Sequence, residues 1–578
     1  MLRHLVCAIA VTGLVAGCSG GDDKPKSDAT GGASETAGAT PAAPSLTAYD
    51  PPKAFETVDA VSQDKDKTSP SFDAKVGIYK DTALWSDLAG LHGRSLATKE
   101  GWLALADGGP AQRIAATPTP TLTESPSESA SESATTTETP SGPGVQTLDV
   151  SAPVPVKLAG KDVVAVALFQ KSLGGGTTKD HNQVRVEWID PTSGEVAGKV
   201  DVNVTPTIGE DEVNAGLSGG FTTDLLVDPA SGAAVIGLAP ASLIGAKSGI
   251  FSVYADPAGD KGSTFPFVEP AGLSKGVLVG VRGEDKSRRV LVGIDVNSRA
   301  TKFSGLKGKD YAEPLGQGGK HAYLYADTYD KGGMNSRGAI YAVDMATGAV
   351  VTTPVPGVSE GPLVERACSA TDDSHVLCRT SNDGVSRSPE IFGFDDNTGK
   401  KVWGWSGKPD TTPRVVPEVT AIFHGVVYGY TDNGVVMLDG RTGQDIPVPT
   451  PTPSQPSPTA SSTPTDGSTA SSTPGDGSVP SETMTPTPDL GLSTDGKQYG
   501  PAAVSEYGAV LFREDVSSEQ SLESQNWIVI EKAIAGSRPE RDAARPRSAA
   551  EAGRRTFQTL VRWKFWNERD GVGPRWPW

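Results

Sequence analysis

The sequence predicts an all-β fold, an eight-bladed β-propeller that carries a disordered tether and loop insertions. Three observations predict it. A strand-and-turn motif recurs through the middle of the chain, its copies lie about one blade length apart, and apolar residues nowhere sustain the spacing of an amphipathic helix. In a full copy, a β-branched or aromatic run ends in Asp, two further residues follow, and then comes Thr or Ser followed by Gly.

Each copy of this motif is expected to form a strand followed by a tight turn. The Asp carboxylate and the Thr or Ser hydroxyl accept hydrogen bonds from nearby backbone N–H groups, and glycine adopts the positive φ that reverses the chain. The predicted turn residues are Asp190, Asp295, Asp344, Thr347, Gly348, Asp395, Thr398, Gly399, Asp439, Thr442 and Gly443. The copy at Asp295 keeps Ser298 but has lost the Thr-Gly pair.

The spacing of the copies predicts the number of blades. From Asp295 onward the motif Asp residues are 49, 51 and 44 residues apart. Four short strands and their turns need roughly 40–50 residues. The predicted propeller spans residues 70–536, of which about 74 lie in insertions, so it divides into eight blades of 49 residues or seven of 56. The measured spacing favours eight. Seven stays possible because Asp228 and Asp256 both resemble degenerate copies.

Two low-complexity insertions interrupt the predicted propeller, at residues 116–145 and 447–490. Both are rich in Pro, Ser and Thr, a composition that stays extended and solvated. Because loop closure costs free energy only logarithmically with length, a propeller can carry both as surface loops. They are expected to be disordered spacers, and the alternative is a glycosylated or wall-contacting loop.

The run from Asp395 to Trp403, Asp-Asp-Asn-Thr-Gly-Lys-Lys-Val-Trp, resembles the blade signature of the pyrroloquinoline-quinone-like β-propeller repeat family. In that family a Trp after Asp-x-x-Thr-Gly-Lys packs between neighbouring blades, so the resemblance implies this role for Trp403. The signature is partial at 340–351 and 435–446 and weaker elsewhere. It indicates an architecture and not an activity, because many proteins with these repeats hold no quinone.

The N-terminus predicts export and lipid attachment. A charged start and an apolar run from Leu5 to Ala16 form a secretory signal that is too short to span a membrane. The sequence Val15-Ala16-Gly17-Cys18 resembles a bacterial lipobox, which implies a signal peptide at residues 1–18 and a diacylglycerol on Cys18. An ordinary secretory signal with a chance cysteine is the alternative. The expected location is the extracytoplasmic face of the cell membrane.

Residues 19–69 are expected to form a flexible tether between this anchor and the propeller, since the stretch after Cys18 is rich in small and polar residues. The whole chain has a formal net charge of −18 and a pI of about 4.9. Such a balance repels nucleic acid and anionic lipid. We therefore expect no nucleic-acid partner and attribute membrane attachment to the lipid.

Two of the four cysteines remain for the folded part of the mature chain. Cys368 and Cys378 flank a predicted turn at Asp372-Asp373-Ser374, so they can face each other across a hairpin. Oxidising surroundings outside the cytoplasm favour a disulfide. Two buried free thiols are the alternative.

The composition changes abruptly in the C-terminal tail, residues 537–578. The tail holds nine Arg and one Lys against five acids, and four of the chain's ten Trp. It is not expected to belong to the propeller. The two interpretations are a tail that was not selected for function and a basic, aromatic segment that touches a membrane.

Catalysis is not expected. The quinoprotein dehydrogenases, the enzymes closest to this fold, resemble one another in holding a quinone and a divalent metal beneath a disulfide between adjacent cysteines. This chain has no adjacent cysteines and no Asp-x-Asp-x-Asp-Gly calcium loop. We therefore expect no catalytic residue, no metal site and no cofactor. A quinone-dependent dehydrogenase with a divergent cofactor site remains the alternative.

The expected function is that of a lipid-anchored binding or scaffolding module. The layout is similar to that of the bacterial outer-membrane-assembly lipoprotein, which joins a lipid anchor to such a propeller. By this analogy the partners are the membrane, through the anchor, and envelope proteins or a small ligand.

Overall fold

The computed structural model confirms an all-β, eight-bladed β-propeller. It describes residues 46–63, 75–116, 144–174, 177, 179–208, 220–239, 249–283, 289–306, 309, 311–328, 338–355, 366–380, 390–406, 414–431, 433–447, 500–515 and 525–535. The described chain forms eight antiparallel sheets of four or five strands each.

The strands are numbered in chain order, and blades are numbered from the first complete sheet. Strand β1 is Phe55–Gln63. Blade 1 holds β2 (Lys75–Tyr79), β3 (Thr82–Asp87), β4 (Gly90–Ser95), β5 (Gly101–Leu105) and β6 (Gln112–Ile114). Blade 2 holds β7 (Val145–Val150), β8 (Val154–Leu158), β9 (Lys161–Ser172), β10 (His181–Ile189) and β11 (Val196–Asn203), and helix α1 (Thr205–Ile208) follows it. Blade 3 holds β12 (Gly220–Phe221), β13 (Leu226–Val227), β14 (Ala234–Ala239), β15 (Phe251–Asp256) and β16 (Lys261–Phe265).

The remaining blades are more regular. Blade 4 holds β17 (Val268–Ser274), β18 (Val277–Arg282), β19 (Val290–Asp295) and β20 (Thr301–Gly305). Blade 5 holds β21 (Tyr311–Gln317), β22 (His321–Asp327), β23 (Ala339–Asp344) and β24 (Val350–Pro354). Blade 6 holds β25 (Arg366–Asp372), β26 (His375–Thr380), β27 (Glu390–Asp395) and β28 (Lys400–Ser406). Blade 7 holds β29 (Glu418–Phe423), β30 (Val426–Thr431), β31 (Gly434–Asp439) and β32 (Asp445–Ile446), and blade 8 holds β33 (Ala503–Ser505), β34 (Gly508–Asp515) and β35 (Gln525–Ala533) together with β1.

The hydrophobic core is divided among the interfaces between blades. Each of the eight neighbouring pairs of blades shares a cluster of buried apolar side chains. A strand inside this ring is covered on both faces, because its alternate side chains point to the two neighbouring blades. This explains the nearly continuous apolar run Val163–Phe169 in β9, every residue of which is buried. Among the described residues, no helix is long and apolar enough to cross a membrane.

Strand β1 closes the ring. It is the outermost strand of blade 8 and pairs antiparallel with β35, from Phe55 opposite Ala533 to Gln63 opposite Asn526. The prediction that residues 19–69 form a tether is therefore wrong for Phe55–Gln63. The physical reason is that β35 presents an open strand edge, and its pairing with β1 satisfies the backbone N–H and C=O groups along that edge.

The segment before β1 is also bound to the propeller. The Tyr49 N–H donates to the Glu506 carbonyl at 2.7 Å, and the Tyr428 hydroxyl donates to the Pro52 carbonyl at 3.0 Å. The Asp50 carboxylate lies 2.9 Å from the His424 ring. Residues 46–54 thus form a strap that joins blades 7 and 8 before the strand ladder begins.

The predicted turns join the third and fourth strands of their blades. Gly348, Gly399 and Gly443 have φ values of +75°, +67° and +69°, and each donates its N–H to the carbonyl of the motif Asp at 2.7–2.8 Å. The Asp carboxylates also accept bonds from N–H groups two or three residues on, as Asp344 does from Thr347 at 2.7 Å. The motif is therefore a turn whose geometry is fixed by one carboxylate and one left-handed residue.

The same turn occurs in blades whose sequence departs from the motif. In blade 1, Ser95 takes the place of Asp and Lys99, at φ +60°, takes the place of Gly. In blade 4, Arg299 has φ +61°, and its guanidinium lies 5.6 Å from the centre of the Phe265 ring in blade 3. This cation–π contact offsets part of the strain of a non-glycine residue there.

The strand pairing of blade 3 distinguishes the two degenerate copies of the motif, Asp228 and Asp256. Asp256 ends the third strand of blade 3 and pairs with Lys261 across the expected turn. Asp228 instead directly follows β13 and belongs to the turn between the first and second strands. Its buried carboxylate accepts bonds from Ser231 and from the Lys275 N–H of blade 4, both at 2.9 Å. Only Asp256 therefore counts as a blade turn, which removes the ambiguity between seven and eight.

Aromatic side chains on outer strands cover the turn glycines of the next blade. The Trp403 indole N–H donates to the Gly440 carbonyl at 2.9 Å, and a Cβ on Gly443 would lie 2.6 Å from the Trp403 ring. Trp102 covers Gly194 in the same way, and Phe303 covers Gly348. The bare glycine lets the ring lie flat against the turn, so one residue serves both the turn and the interface between blades.

Between blades 5 and 6, a buried carboxylate joins the neighbouring blades. Asp396 is 1% exposed and accepts bonds from the Lys320 N–H at 2.7 Å and the Tyr323 hydroxyl at 3.0 Å. The His321 ring lies 2.7 Å from the Asp396 carbonyl. Burial lowers the pKa of His321, but the hydrogen bonds to Asp396 outweigh it and raise that pKa above its usual value.

The strand order gives the propeller two different faces. In each antiparallel blade, the turns between strands one and two and between strands three and four lie at the same end. We call this end the turn face, and it includes residues 317–321, 344–348 and 395–399. The opposite end is the connection face, where second strands pass to third strands and where each blade passes to the next. It includes residues 328, 338, 355 and 366.

A second buried carboxylate, Glu187, lies between blades 1 and 2. It is 1% exposed, and its Oε1 lies 3.9 Å from the Arg185 Nε and has no hydrogen-bond partner within the described chain. Burial raises the pKa of Glu187 from 4.5 to about 7. The positive charges of Arg185 and Lys199 lower this pKa, while the negative charges of Asp201 and Asp107 raise it further.

Glu187→Gln is predicted to remove a pH dependence of stability. Because the folded pKa lies above the unfolded one, the native state binds the proton more tightly. Its stability falls as pH rises from about 4.5 to about 7 and then levels off, by about 3 kcal/mol in all. Urea denaturation across this pH range measures the difference between wild type and variant. Parallel curves for the two proteins would contradict the assignment.

Trp403→Ala is predicted to destabilise the propeller by about 3 kcal/mol, because it removes the ring over Gly443 and leaves the Gly440 carbonyl without its donor. The control is Val402→Ala on the same strand, whose side chain is 54% exposed and which is expected to change stability by less than about 0.5 kcal/mol. Denaturation midpoints measure both. Equal, small effects would show that Trp403 does not join the blades.

Candidate functional site

The candidate site is the central channel, which the inner strands of the blades enclose. Its main cavity has a volume of about 1000 Å³ and is lined by blades 1 to 6. A second cavity of about 280 Å³ lies against the inner strands of blades 6 to 8. The channel is therefore a space that the ring offers to a ligand or to an inserted segment of a partner.

A repeated β-bulge shapes the inner strands around this channel. The register shifts between Pro270 and Gly272 in blade 4 and between Pro314 and Gly316 in blade 5, and blades 2, 6 and 7 carry shifts in their inner strands as well. A bulge adds one residue and bends the strand, and proline is tolerated there because its missing N–H is not needed by the ladder. On the neighbouring strand, a Cβ on Gly280 would lie 2.3 Å from the Glu269 carbonyl oxygen, so only glycine fits opposite the bulge.

The inner strands of blades 2 and 3 are interrupted, which makes this side of the channel more polar. Between β7 and β8 the Ser151 hydroxyl accepts the Ala167 N–H at 2.9 Å. Between β12 and β13 the Thr223 hydroxyl accepts the Gly237 N–H at 2.9 Å. Each hydroxyl replaces a missing strand carbonyl and satisfies the neighbouring strand. The interruptions place backbone outside the regular ladder at the channel wall, where Ala152 and Asp224 lie.

Most of the wall of the main cavity is apolar, and six charged residues line it: Lys75, Asp149, Lys157, Asp162, Asp224 and Arg366. Asp149 accepts the Phe221 N–H at 2.7 Å and so ties blade 2 to blade 3. Arg366 donates to Glu313 at 2.6 Å, and its guanidinium lies 4.2 Å from the centre of the Tyr325 ring. A mainly apolar wall with placed polar groups is the usual composition of a binding cavity.

Metal ligation finds no support among the described residues. In that part of the chain, no three His, Cys, Asp or Glu side chains lie close enough together to hold an ion.

The sequence-predicted turn residues do not line the channel. Asp190, Asp295, Asp344, Asp395 and Asp439 all lie on the turn face, in the hairpins that join third and fourth strands. Thr347 donates its hydroxyl to Asp344 at 2.8 Å and Thr398 donates to Asp395 at 2.9 Å, while Thr442 donates its N–H to Asp439 at 3.2 Å. Their hydrogen bonds hold turns, so these residues contribute to architecture.

The Cys368–Cys378 disulfide is present, and it touches the channel. The two residues lie directly opposite each other on β25 and β26, with Cα atoms 4.0 Å apart. Both side chains belong to the buried cluster between blades 5 and 6, and Cys368 also lines the main cavity. A cross-link over so short a loop contributes about 2–3 kcal/mol and fixes the wall of the channel at blade 6.

Several predicted features lie outside the described residues. They are the signal peptide at residues 1–18 with Cys18, most of the predicted tether and the tail at 537–578. All but the ends of the insertions at 116–145 and 447–490 lies outside as well. The chain leaves the described part after Ala116 and returns at Gly144, and it leaves again after Pro447 and returns at Gly500.

Comparison with known proteins shows no family for this chain. No family model matches the chain, and no curated protein does. An uncharacterised protein from Listeria monocytogenes EGD-e matches with a TM-score of 0.32 and 10% identity over 71% of this chain and all of the other. The propeller domain of a trilobed protease from Pyrococcus furiosus matches with a TM-score of 0.29 and 12% identity, over 52% of this chain and 84% of the other. A europium-containing methanol dehydrogenase matches with a TM-score of 0.28 and 12% identity, over 64% of this chain and 67% of the other.

Sequence reasoning missed the residues that build the channel. Asp149 and Phe221 are 72 positions apart and meet only because their blades are neighbours. The bulge prolines offered one signal, because Glu269-Pro270-Ala271-Gly272 and Glu313-Pro314-Leu315-Gly316 repeat the pattern Glu-Pro-x-Gly at the same place in successive blades.

Proposed function

We propose that this chain is an extracytoplasmic lipoprotein of the pyrroloquinoline-quinone-like repeat type, whose propeller is a non-catalytic binding or scaffolding module. The observation that carries the binding role is the channel cavity of about 1000 Å³, whose mainly apolar wall also presents polar and charged groups. The sequence Val15-Ala16-Gly17-Cys18 supports the lipid anchor, and the run from Asp395 to Trp403 supports the family.

The construction of the ring suits binding. Its channel wall is held by a disulfide at Cys368, by the bond from Phe221 to Asp149 and by the ion pair of Arg366 with Glu313. A wall fixed in this way loses little conformational entropy when it binds a partner. Of the six charged residues that line the cavity, Asp149 and Arg366 take part in these ties, and Lys157 and Asp162 form an ion pair with each other. Charged groups engaged in this way fit recognition better than proton transfer.

Cys18→Ser is predicted to release the protein from membranes. Without the thiol, diacylglycerol has no attachment point. The variant should therefore partition into the aqueous phase in Triton X-114, while wild type partitions into detergent. The matched control is Cys7→Ser, which alters the other cysteine of the signal segment and should leave partitioning unchanged. Equal detergent partitioning of wild type and Cys18→Ser would contradict the anchor.

A photo-crosslinking amino acid placed in the channel is predicted to capture an envelope partner. Thr222 and Ser369 line the main cavity and are exposed to it, whereas Val402 lies on an outer strand and is 54% exposed. Illumination of intact cells should give a discrete adduct from the two channel positions and none from position 402.

The same protein also tests the enzymatic alternative. Pyrroloquinoline quinone is titrated with Ca²⁺, and reduction of a dye by alcohols and sugars is followed. Saturable quinone binding with dye reduction would contradict the non-catalytic proposal, and so would crosslinks of equal yield at all three positions.

A further inference from the structure

Both described ends of the chain lie on the turn face. At the N-terminal end, Leu46 packs against the cluster between blades 8 and 1, and the strap of residues 46–54 then crosses turns of blades 8 and 7. At the C-terminal end, β35 finishes at Ala533. The Ala533 N–H donates to the Tyr507 carbonyl at 2.7 Å, and the Ile534 N–H donates to the Ala54 carbonyl at 3.0 Å.

The two segments that continue from these ends are the ones with membrane-directed chemistry. Residues 1–45 contain Cys18, the proposed lipid attachment site. Residues 537–578 contain nine Arg and one Lys against five acids, together with four Trp. Basic residues are attracted to anionic lipid headgroups, and Trp favours the membrane interface. A lipid and a basic, aromatic tail thus depart from one face of an otherwise acidic protein.

The first long insertion joins the two faces. Ile114 ends blade 1 opposite Gly101, at the turn-face end of β5, and Val145 begins blade 2 opposite Ser172, at the connection-face end of β9. The second such stretch joins Ile446 of blade 7, which pairs with Met437, to Ala503 of blade 8, which pairs with Val510. The insertions therefore do not distinguish the two faces, whereas the two described ends of the chain do.

We propose that the turn face is the membrane-facing side of this protein and that the connection face, with its channel mouth, points away toward partners. The inference rests on the proposed lipid at Cys18. Between Cys18 and Leu46 lie 27 residues. As a relaxed coil they span about 29 Å, and fully extended about 90 Å. If the connection face were next to the membrane instead, the tether would have to run from the turn face around the propeller to reach the lipid. This extension costs chain entropy.

The test places one fluorescent donor on each face of the full-length lipidated protein. Ala346→Cys labels an exposed position on the turn face, and Val415→Cys labels a position that is 60% exposed on the connection face. Cys368 and Cys378 are buried in their disulfide and do not compete for the dye. Both proteins are reconstituted on phosphatidylcholine–phosphatidylglycerol vesicles that carry a rhodamine-labelled headgroup as acceptor.

Energy transfer to the rhodamine lipid should be at least two-fold greater from position 346 than from position 415. Deleting residues 22–39 shortens the tether outside the described propeller and should increase this ratio. A ratio of one or below would overturn the orientation while leaving the anchor intact. Vesicle flotation tests the anchor separately. The anchor fails if wild-type protein does not float with the vesicles, or if the Cys18→Ser protein still does.

Discussion

The pairing of β1 with β35 is the interaction on which the ring depends. Every other blade is built from consecutive segments, but blade 8 takes its outer strand from the N-terminal side of the chain and its three other strands from the C-terminal side. This ladder joins segments more than 460 positions apart and leaves no gap between blades 8 and 1, so the eight apolar layers form an unbroken circuit. The strap at Asp50 and Pro52 adds side-chain ties to blade 7.

The fold class could be predicted because its signal is local. Asp344 with Gly348, or Asp439 with Gly443, specifies a turn within five residues, and the repeat of that turn counts blades. The signal fails where another interaction replaces a motif residue. Arg299 occupies the glycine position of blade 4, and its guanidinium lies over the Phe265 ring of blade 3. Strand β1 was missed because its partner, β35, lies at the far end of the chain.

The channel could not be predicted, because its wall is assembled from all around the ring. Which inner-strand residues point inward is set by bulges such as the one at Pro270, and by the interruptions that Ser151 and Thr223 compensate. These features depend on how a strand is aligned with its neighbour, and the sequence motif does not indicate that register. The motif residues hold turns and blade interfaces, so they predict architecture well and leave the ligand undetermined. The proposed binding role rests on the chemistry of the channel wall.

Hydrogen exchange followed by mass spectrometry tests the central claim, closure of the ring by β1, most directly. Peptides that cover residues 55–63 are compared with peptides that cover β34 and β35. If β1 is the outer strand of blade 8, its paired amides exchange on the same slow timescale as those of β35, and both lose protection together as denaturant is added. Exchange of residues 55–63 at the rate of an unstructured peptide, beside a protected β35, would contradict the closed ring.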